Sequence, residues 1–254
     1  MCETCGQKLH RPLAPSRRKF ILGTAAIGLA FASPAGAKGK RKEKEEDDEK
    51  EKKPPKPQNV LSPDAALERL QQGNARYVDG VARRHDFKHE REALAGGQNP
   101  YAAILSCADS RIAPEYAFDS GRGDLFVCRV AGNFATEETI ASLEYGVAVL
   151  NVPLILVLGH DACGAVDATI KSLKDDKPLP GHMPTLVEGL APAVKAVAKQ
   201  QGNTLDNAIR QNVIDNVAKL KGTAPILNAA VDAGKLKVVG GIYRLKDGEV
   251  EMVA

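Results

Sequence analysis

Apolar residues in this chain come as short solid blocks separated by longer mixed stretches. Tyr101–Ser106 and Pro153–Gly159 leave almost no polar position for a solvent face, which predicts strands buried on both sides. Blocks at 124–130 and 236–243 predict two more strands, and 249–253 a short final one. The stretches between them read as helices: Glu137 to Leu150, then about 165–173, 185–200, 204–220 and 224–233. Upstream, Ser62 is a good helix N-cap and Pro63 suits the first helical position, with Leu67, Leu70 and Tyr77 following. A further short helix is expected near Arg91. Strands alternating with helices predict an α/β fold on a parallel sheet.

Before Val60 the pattern changes. Ser16-Arg17-Arg18-Lys19-Phe20-Ile21-Leu22 resembles a twin-arginine export signal, and the uncharged, Ala- and Gly-rich stretch Phe20–Ala37 follows it. Ala35-Gly36-Ala37 fits a small-x-small cleavage site. Residues 1–37 are therefore expected to be a signal peptide that takes the protein through the twin-arginine machinery to the periplasm. The alternative is an uncleaved membrane anchor, since eighteen uncharged residues approach the spanning length. Cys2 and Cys5 lie inside this leader and receive no role in the mature protein. Residues 38–57 are a mixed-charge run closing in Pro54-Pro55-Lys56-Pro57, with no apolar side chains to build a core, and read as a linker. The folded domain is expected over 58–254.

Composition adjusts this picture in two ways. There is no tryptophan among the 254 residues and few other aromatics, so the core must be mostly Ala, Val, Leu and Ile. The net charge of +3 is concentrated in the leader, which carries +4, leaving the rest at −1. Nothing in that balance points to a nucleic-acid footprint, which needs a clustered basic face. Of five cysteines, Cys128 alone is left once the leader pair and the two discussed next are set aside, so no disulfide framework is implied.

The chemistry sits where two predicted strands end. Cys107-Ala108-Asp109-Ser110-Arg111 follows the first block, and His160-Asp161-Ala162-Cys163 follows another about fifty residues later. In an open parallel sheet, ligands collect at that edge. Two thiolates and an imidazole brought together there form a three-ligand zinc set with the fourth position left for water, the arrangement of catalytic zinc. Either piece alone would be ordinary, a packed cysteine or a turn histidine.

Together the two motifs resemble the β-class carbonic anhydrases, in particular the plant-like branch. Gly123-Asp124-Leu125-Phe126-Val127, Arg129-Val130-Ala131-Gly132-Asn133, Ser142-Leu143-Glu144-Tyr145-Gly146 and Gly240-Gly241-Ile242-Tyr243 extend the likeness over most of the chain after residue 60. The resemblance implies a mainly parallel central sheet flanked by helices, with the helix after Ser62 as an N-terminal arm packed on a partner subunit. It implies one Zn2+ per subunit on Cys107, His160 and Cys163, and reversible hydration of carbon dioxide to bicarbonate and a proton by zinc-bound hydroxide. Asp109 and Arg111 match the family's catalytic dyad. If that pair broke, Asp109 would be free to take the fourth zinc position. Gln98, Phe126, Tyr145 and the Gly164 N–H match substrate-binding positions, with Tyr145 supplied by the partner of a homodimer or larger homo-oligomer. Two thiolates weaken the Lewis acid, so activity is expected to favour neutral to alkaline pH. Ala131 replaces a larger aliphatic residue, which widens the cleft. A second branch relies on a tryptophan before the first ligand cysteine for a bicarbonate switch; Ile104-Leu105-Ser106 stands there instead.

The alternatives are hydrolysis of carbonyl sulfide or carbon disulfide on the same scaffold, and a non-catalytic zinc- or bicarbonate-binding protein. The intact Asp109–Arg111 pair counts against the last. His85, His89 and His182 are expected to be solvated surface residues, and Cys128 to be core.

Overall fold

The computed structural model describes residues 60–254. The leader expected over 1–37 and the linker expected over 38–57 lie outside the described residues. Five strands form one sheet: β1 (Ala102–Ser106), β2 (Leu125–Arg129), β3 (Leu154–His160), β4 (Lys237–Tyr243) and β5 (Val250–Met252), in the order β2-β1-β3-β4-β5. The first four are parallel, and β5 returns antiparallel to β4. Every residue of β1 and β3 is buried, as their solid apolar blocks require.

The helices are α1 (Pro63–Val78), α2 (Phe87–Leu94), α3 (Pro114–Ala117), α4 (Glu137–Ala148), α5 (Gly164–Asp175), α6 (Pro184–Ala196), α7 (Thr204–Gly222) and α8 (Ile226–Asp232). The sequence reading had no counterpart for α3, a single turn too short to carry a period. Their starts follow local chemistry. The Ser62 hydroxyl accepts from the Ala65 N–H at 3.2 Å, Thr136 and Thr139 form a capping box, and Asn203 accepts from two amides of α7. From α4 through α8, α7 and α6 to α5, successive helices pack on one another, and α7 lies against β3 and β4. Gly159 permits that contact: a Cβ there would come within 2.7 Å of Val213 Cγ2. The N-terminal helix α1 packs on β3 and α3. Asn74 ties it down, donating to the carbonyls of Ala117 and Gly248 and accepting from the Val250 N–H.

One expectation fails. Cys128 is expected to be core, yet its strand β2 lies at the sheet edge, with Leu125–Cys128 half-buried and Arg129 exposed. Cys128 is accordingly half-buried, with no strand on its outer side to close the core over it.

Candidate metal centre

β1 and β3 are neighbours and parallel, with Ser106 in register with Leu158, so their C-terminal ends deliver Cys107 and His160 side by side. Cys163 follows after a two-residue turn in which Ala162 takes a left-handed φ of 51°, and it is the N-cap of α5. Cys107, His160 and Cys163 are all buried, and their ligand atoms lie within 4.8 Å of one another.

The donor set fits a cation. His160 is fully buried, and its Nδ1–H donates to the Asp161 carbonyl at 2.8 Å, which leaves the Nε2 lone pair as the free end of the ring. Nε2 has no hydrogen-bond partner, a costly state for a buried polar atom without a ligand. The thiols agree. Cys107 is pulled well below the ordinary thiol value, first by a hydrogen bond from the Cys163 thiol, and further by the Gly132 and Asp109 N–H groups, against the cost of burial. Cys163 is pushed up by the anionic Cys107 beside it and by burial, against the pull of the Val166 and Ala165 amides at the start of α5. Two adjacent thiolates cannot be held without positive charge, and a divalent cation supplies it.

Asp109 stands next to this set, its Oδ2 3.9 Å from His160 Nε2. Arg111 holds it from one side with Nε on Oδ1 at 2.9 Å and Nη2 on Oδ2 at 2.7 Å, and the Arg111 N–H also donates to Oδ1. The Arg111 guanidinium keeps the carboxyl well below the usual carboxylate range despite partial burial. Such a fork fixes the plane of the carboxylate as well as its charge. Arg111 Nη2 also reaches the Ala162 carbonyl at 3.4 Å, linking the two ligand loops.

Two contributors carry no signal strong enough to find in sequence. Arg129, exposed at the end of β2, donates to the carbonyls of Cys107, Asp109 and Ile112, and so clamps the whole dyad loop. The Gly132 N–H donates to Cys107 Sγ at 3.3 Å. Gly132 has a φ of +88°, and a Cβ there would meet Leu190 at 2.8 Å, so only glycine fits. Both residues lie in the 129–133 segment that carried part of the family resemblance, without a role attached.

The remaining sequence-predicted residues divide. Gly164 is the first residue of α5, exposed and beside Cys163, with open space where a side chain would be, so its N–H is one of the unpaired amides of a helix start. Gln98, Phe126 and Tyr145 are elsewhere. Phe126 is in register with Ala103, four residues before Cys107, about 13 Å back along the strand direction. Tyr145 on α4 lies against it, with ring centroids 6.4 Å apart, and Gln98 is exposed in the turn that enters β1. These three belong to the N-terminal edge of the sheet, so within one chain they do not wall the cleft at Cys107. His85 and His89 face carboxylates of their own, Glu90 and Asp86, and His182 is exposed.

Comparison with known proteins gives the same centre a lineage. The family model described as carbonic anhydrase matches residues 102–250. Carbonic anhydrase 2 of Mycobacterium tuberculosis is 40% identical over 188 residues, covering 74% of this chain and 91% of that protein. A carbonic anhydrase of Mycolicibacterium smegmatis is 40% identical over 192 residues, covering 75% and 93%. Among solved structures, the tetrameric β-carbonic anhydrases of the ascomycete Sordaria macrospora align with a TM-score of 0.59 at 27% identity, over 66% of this chain and 87% of theirs. The chain belongs to the β-class carbonic anhydrase family.

Proposed function

From that membership we infer that the protein is a zinc enzyme that reversibly hydrates carbon dioxide to bicarbonate and a proton. The observation that carries the reading is the buried Cys107–His160–Cys163 set with the Arg111-held Asp109 carboxylate beside it. Zinc held by those three residues would acidify a water at its open position, though less strongly than zinc held by three neutral imidazoles. Asp109 stays ionised because Arg111 holds both its oxygens, so it acts as an acceptor throughout the working pH range and fixes the orientation of a proton-bearing group at the centre. The Gly164 N–H is free to bond a substrate oxygen.

Gln98, Phe126 and Tyr145 serve the cleft of a partner subunit, which makes a homodimer the smallest active unit. The sequence likeness assigned only Tyr145 to the partner; the placement of Gln98 and Phe126 on the same sheet edge supports assigning all three. A half-exposed edge strand, with Tyr145 and Val149 also exposed on α4, suits coverage by a second copy. The leader belongs to the same reading: export of the folded, zinc-loaded enzyme by the twin-arginine route, which keeps the two thiols reduced until metal protects them. Fractionation of cells expressing the native chain and an Arg17→Lys/Arg18→Lys variant, with sequencing of the mature N-terminus, tests it. Cytoplasmic wild type starting at Met1 or Cys2 would count against export.

The activity is tested by stopped-flow hydration of carbon dioxide with the zinc-loaded protein, alongside carbonyl sulfide and carbon disulfide. Rapid hydration of carbon dioxide is expected. Turnover of a sulfur substrate without it would replace the reading.

A further inference from the structure

Two asparagines are buried on the sheet-facing side of α7. Asn212 is 2% exposed and Asn216 is 6% exposed. Buried amides weaken a core unless each polar atom is paired. Here they are paired, and the partners converge on one loop. Asn212 Nδ2 donates to the Gly132 carbonyl at 2.9 Å. Asn216 Nδ2 donates to Asn212 Oδ1 at 3.0 Å, and Asn216 Oδ1 accepts from the Ala135 N–H at 2.7 Å. One turn on, Lys219 Nζ donates to the Ala135 carbonyl at 2.7 Å. The 131–135 loop is the one whose Gly132 N–H meets the Cys107 sulfur.

That loop has no strand or helix of its own to hold it. Gly132 and Asn133 both take left-handed φ values, +88° and +42°. Its position relative to α7 is set by the helix's close approach to the sheet at Gly159, beside ligand His160, where Val213, the neighbour of Asn212, fills the space. The amide run is therefore a rigid connection from a long helix to a hydrogen bond on a ligand atom.

We propose that Asn212 and Asn216, with Lys219, are positioning residues of the metal centre: they hold the 131–135 loop so that the Gly132 N–H stays on Cys107 Sγ, fixing that sulfur in place for a bound metal and drawing charge from it. The proposal rests on the zinc reading above. It predicts more than lost stability, because the hydrogen bond acts on the electronic character of a ligand.

The test uses the full chain and three variants: Asn212→Ala, Lys219→Met and Asn74→Ala. Asn74 is the control, a buried asparagine that also bonds three backbone groups but sits on α1 away from the sulfur. Lys219 is exposed, so its replacement leaves the core intact if Asn212→Ala fails to fold. Zinc affinity is measured by chelator competition, and the sulfur-to-metal charge-transfer band is recorded on the cobalt(II)-substituted protein. Outer-layer partners of metal ligands typically change affinity 10–100-fold, and one layer further out Asn212→Ala should weaken zinc about fivefold and move the band to longer wavelength. Lys219→Met should move both in the same direction by a smaller amount, about twofold in affinity. Asn74→Ala should lower the melting temperature and move neither. Unchanged affinity and band in the folded α7 variants, or equal changes in Asn74→Ala, would overturn the proposal while leaving the zinc reading standing. A wild-type chain that binds no zinc would overturn both.

Discussion

The two edges of the parallel sheet are finished to different degrees. At the C-terminal edge, β1 and β3 end in register and present Cys107, His160 and Cys163, already buried and already backed by Asp109, Arg111, Arg129 and Gly132. At the N-terminal edge, Gln98, Phe126 and Tyr145 sit around an open strand with exposed apolar neighbours and no centre of their own. On the proposed reading, one edge holds a metal site that lacks substrate walls, and the other holds walls for a partner's site. That reading gives a single chain two halves facing opposite ways, which a symmetric pair would bring together, as an isologous interface does when residue i meets j and j meets i.

The largest effect should come from breaking the finished edge at its ligands. Cys163→Ala should lose essentially all zinc at one equivalent per subunit, while Cys128→Ala, on the half-buried outer strand, should keep it. Metal analysis after dialysis decides between them, and full zinc in Cys163→Ala would undo the ligand assignment. Next comes the dyad. Asp109→Asn should keep zinc and lose about 10²–10⁴-fold in hydration rate, the usual range for a positioned proton-handling group. Arg111→Ala should also lose activity, because Asp109 is then free to move onto the metal.

Changes at the open edge should be milder and of a different kind. Gln98→Ala/Tyr145→Ala removes two exposed side chains, so the fold and zinc content should survive while kcat/KM falls by about tenfold, as loss of about 1.4 kcal/mol of substrate contact would give. A variant as active as the wild type would mean that neither side chain touches substrate. The last effect is on stability rather than turnover and concerns how the C-terminal end of α1 is fastened. Burial alone would raise the Asp119 carboxyl, but Arg76 at 2.6 Å, the Arg83 N–H and the Arg83 guanidinium hold it below its ordinary value. A depressed carboxyl contributes stability above its unfolded value, near 3.9, and loses it as pH falls through the folded one. Asp119→Asn should therefore cost about 1–3 kcal/mol at pH 7, with the difference from wild type shrinking below about pH 4. A difference independent of pH in urea titrations would show that the carboxylate's charge is not what fastens α1.

The same contrast explains what could be read in the sequence. β1 and β3 were legible because strands buried on both faces leave no polar positions, and their ends located the metal set. Edge status leaves no such mark, so Cys128 reads as core when it is half-buried. Gln98 was assigned to the cleft by likeness, although a whole strand separates it from Cys107 and puts the two on opposite edges. Asn212 and Asn216 were invisible for a simpler reason: asparagine is mostly exposed, and only the packing of α7 shows that these two are inside. Arg129 and Gly132 lay in a recognised segment, but their partners are a carbonyl cluster and a sulfur some twenty residues away, contacts that spacing along the chain does not reveal.

The most direct test of the two-edge account is complementation between subunits. Asp109→Asn disables the C-terminal edge and Gln98→Ala/Tyr145→Ala weakens the N-terminal one, each leaving the other edge whole. Unfolding and refolding the two together with zinc produces mixed dimers in which one cleft carries both defects and the other carries none. Random pairing should restore about a quarter of wild-type activity, well above the average of the two parent variants. Activity no higher than that average, with mixed dimers demonstrated by mass, would contradict the claim that each cleft is built from two chains.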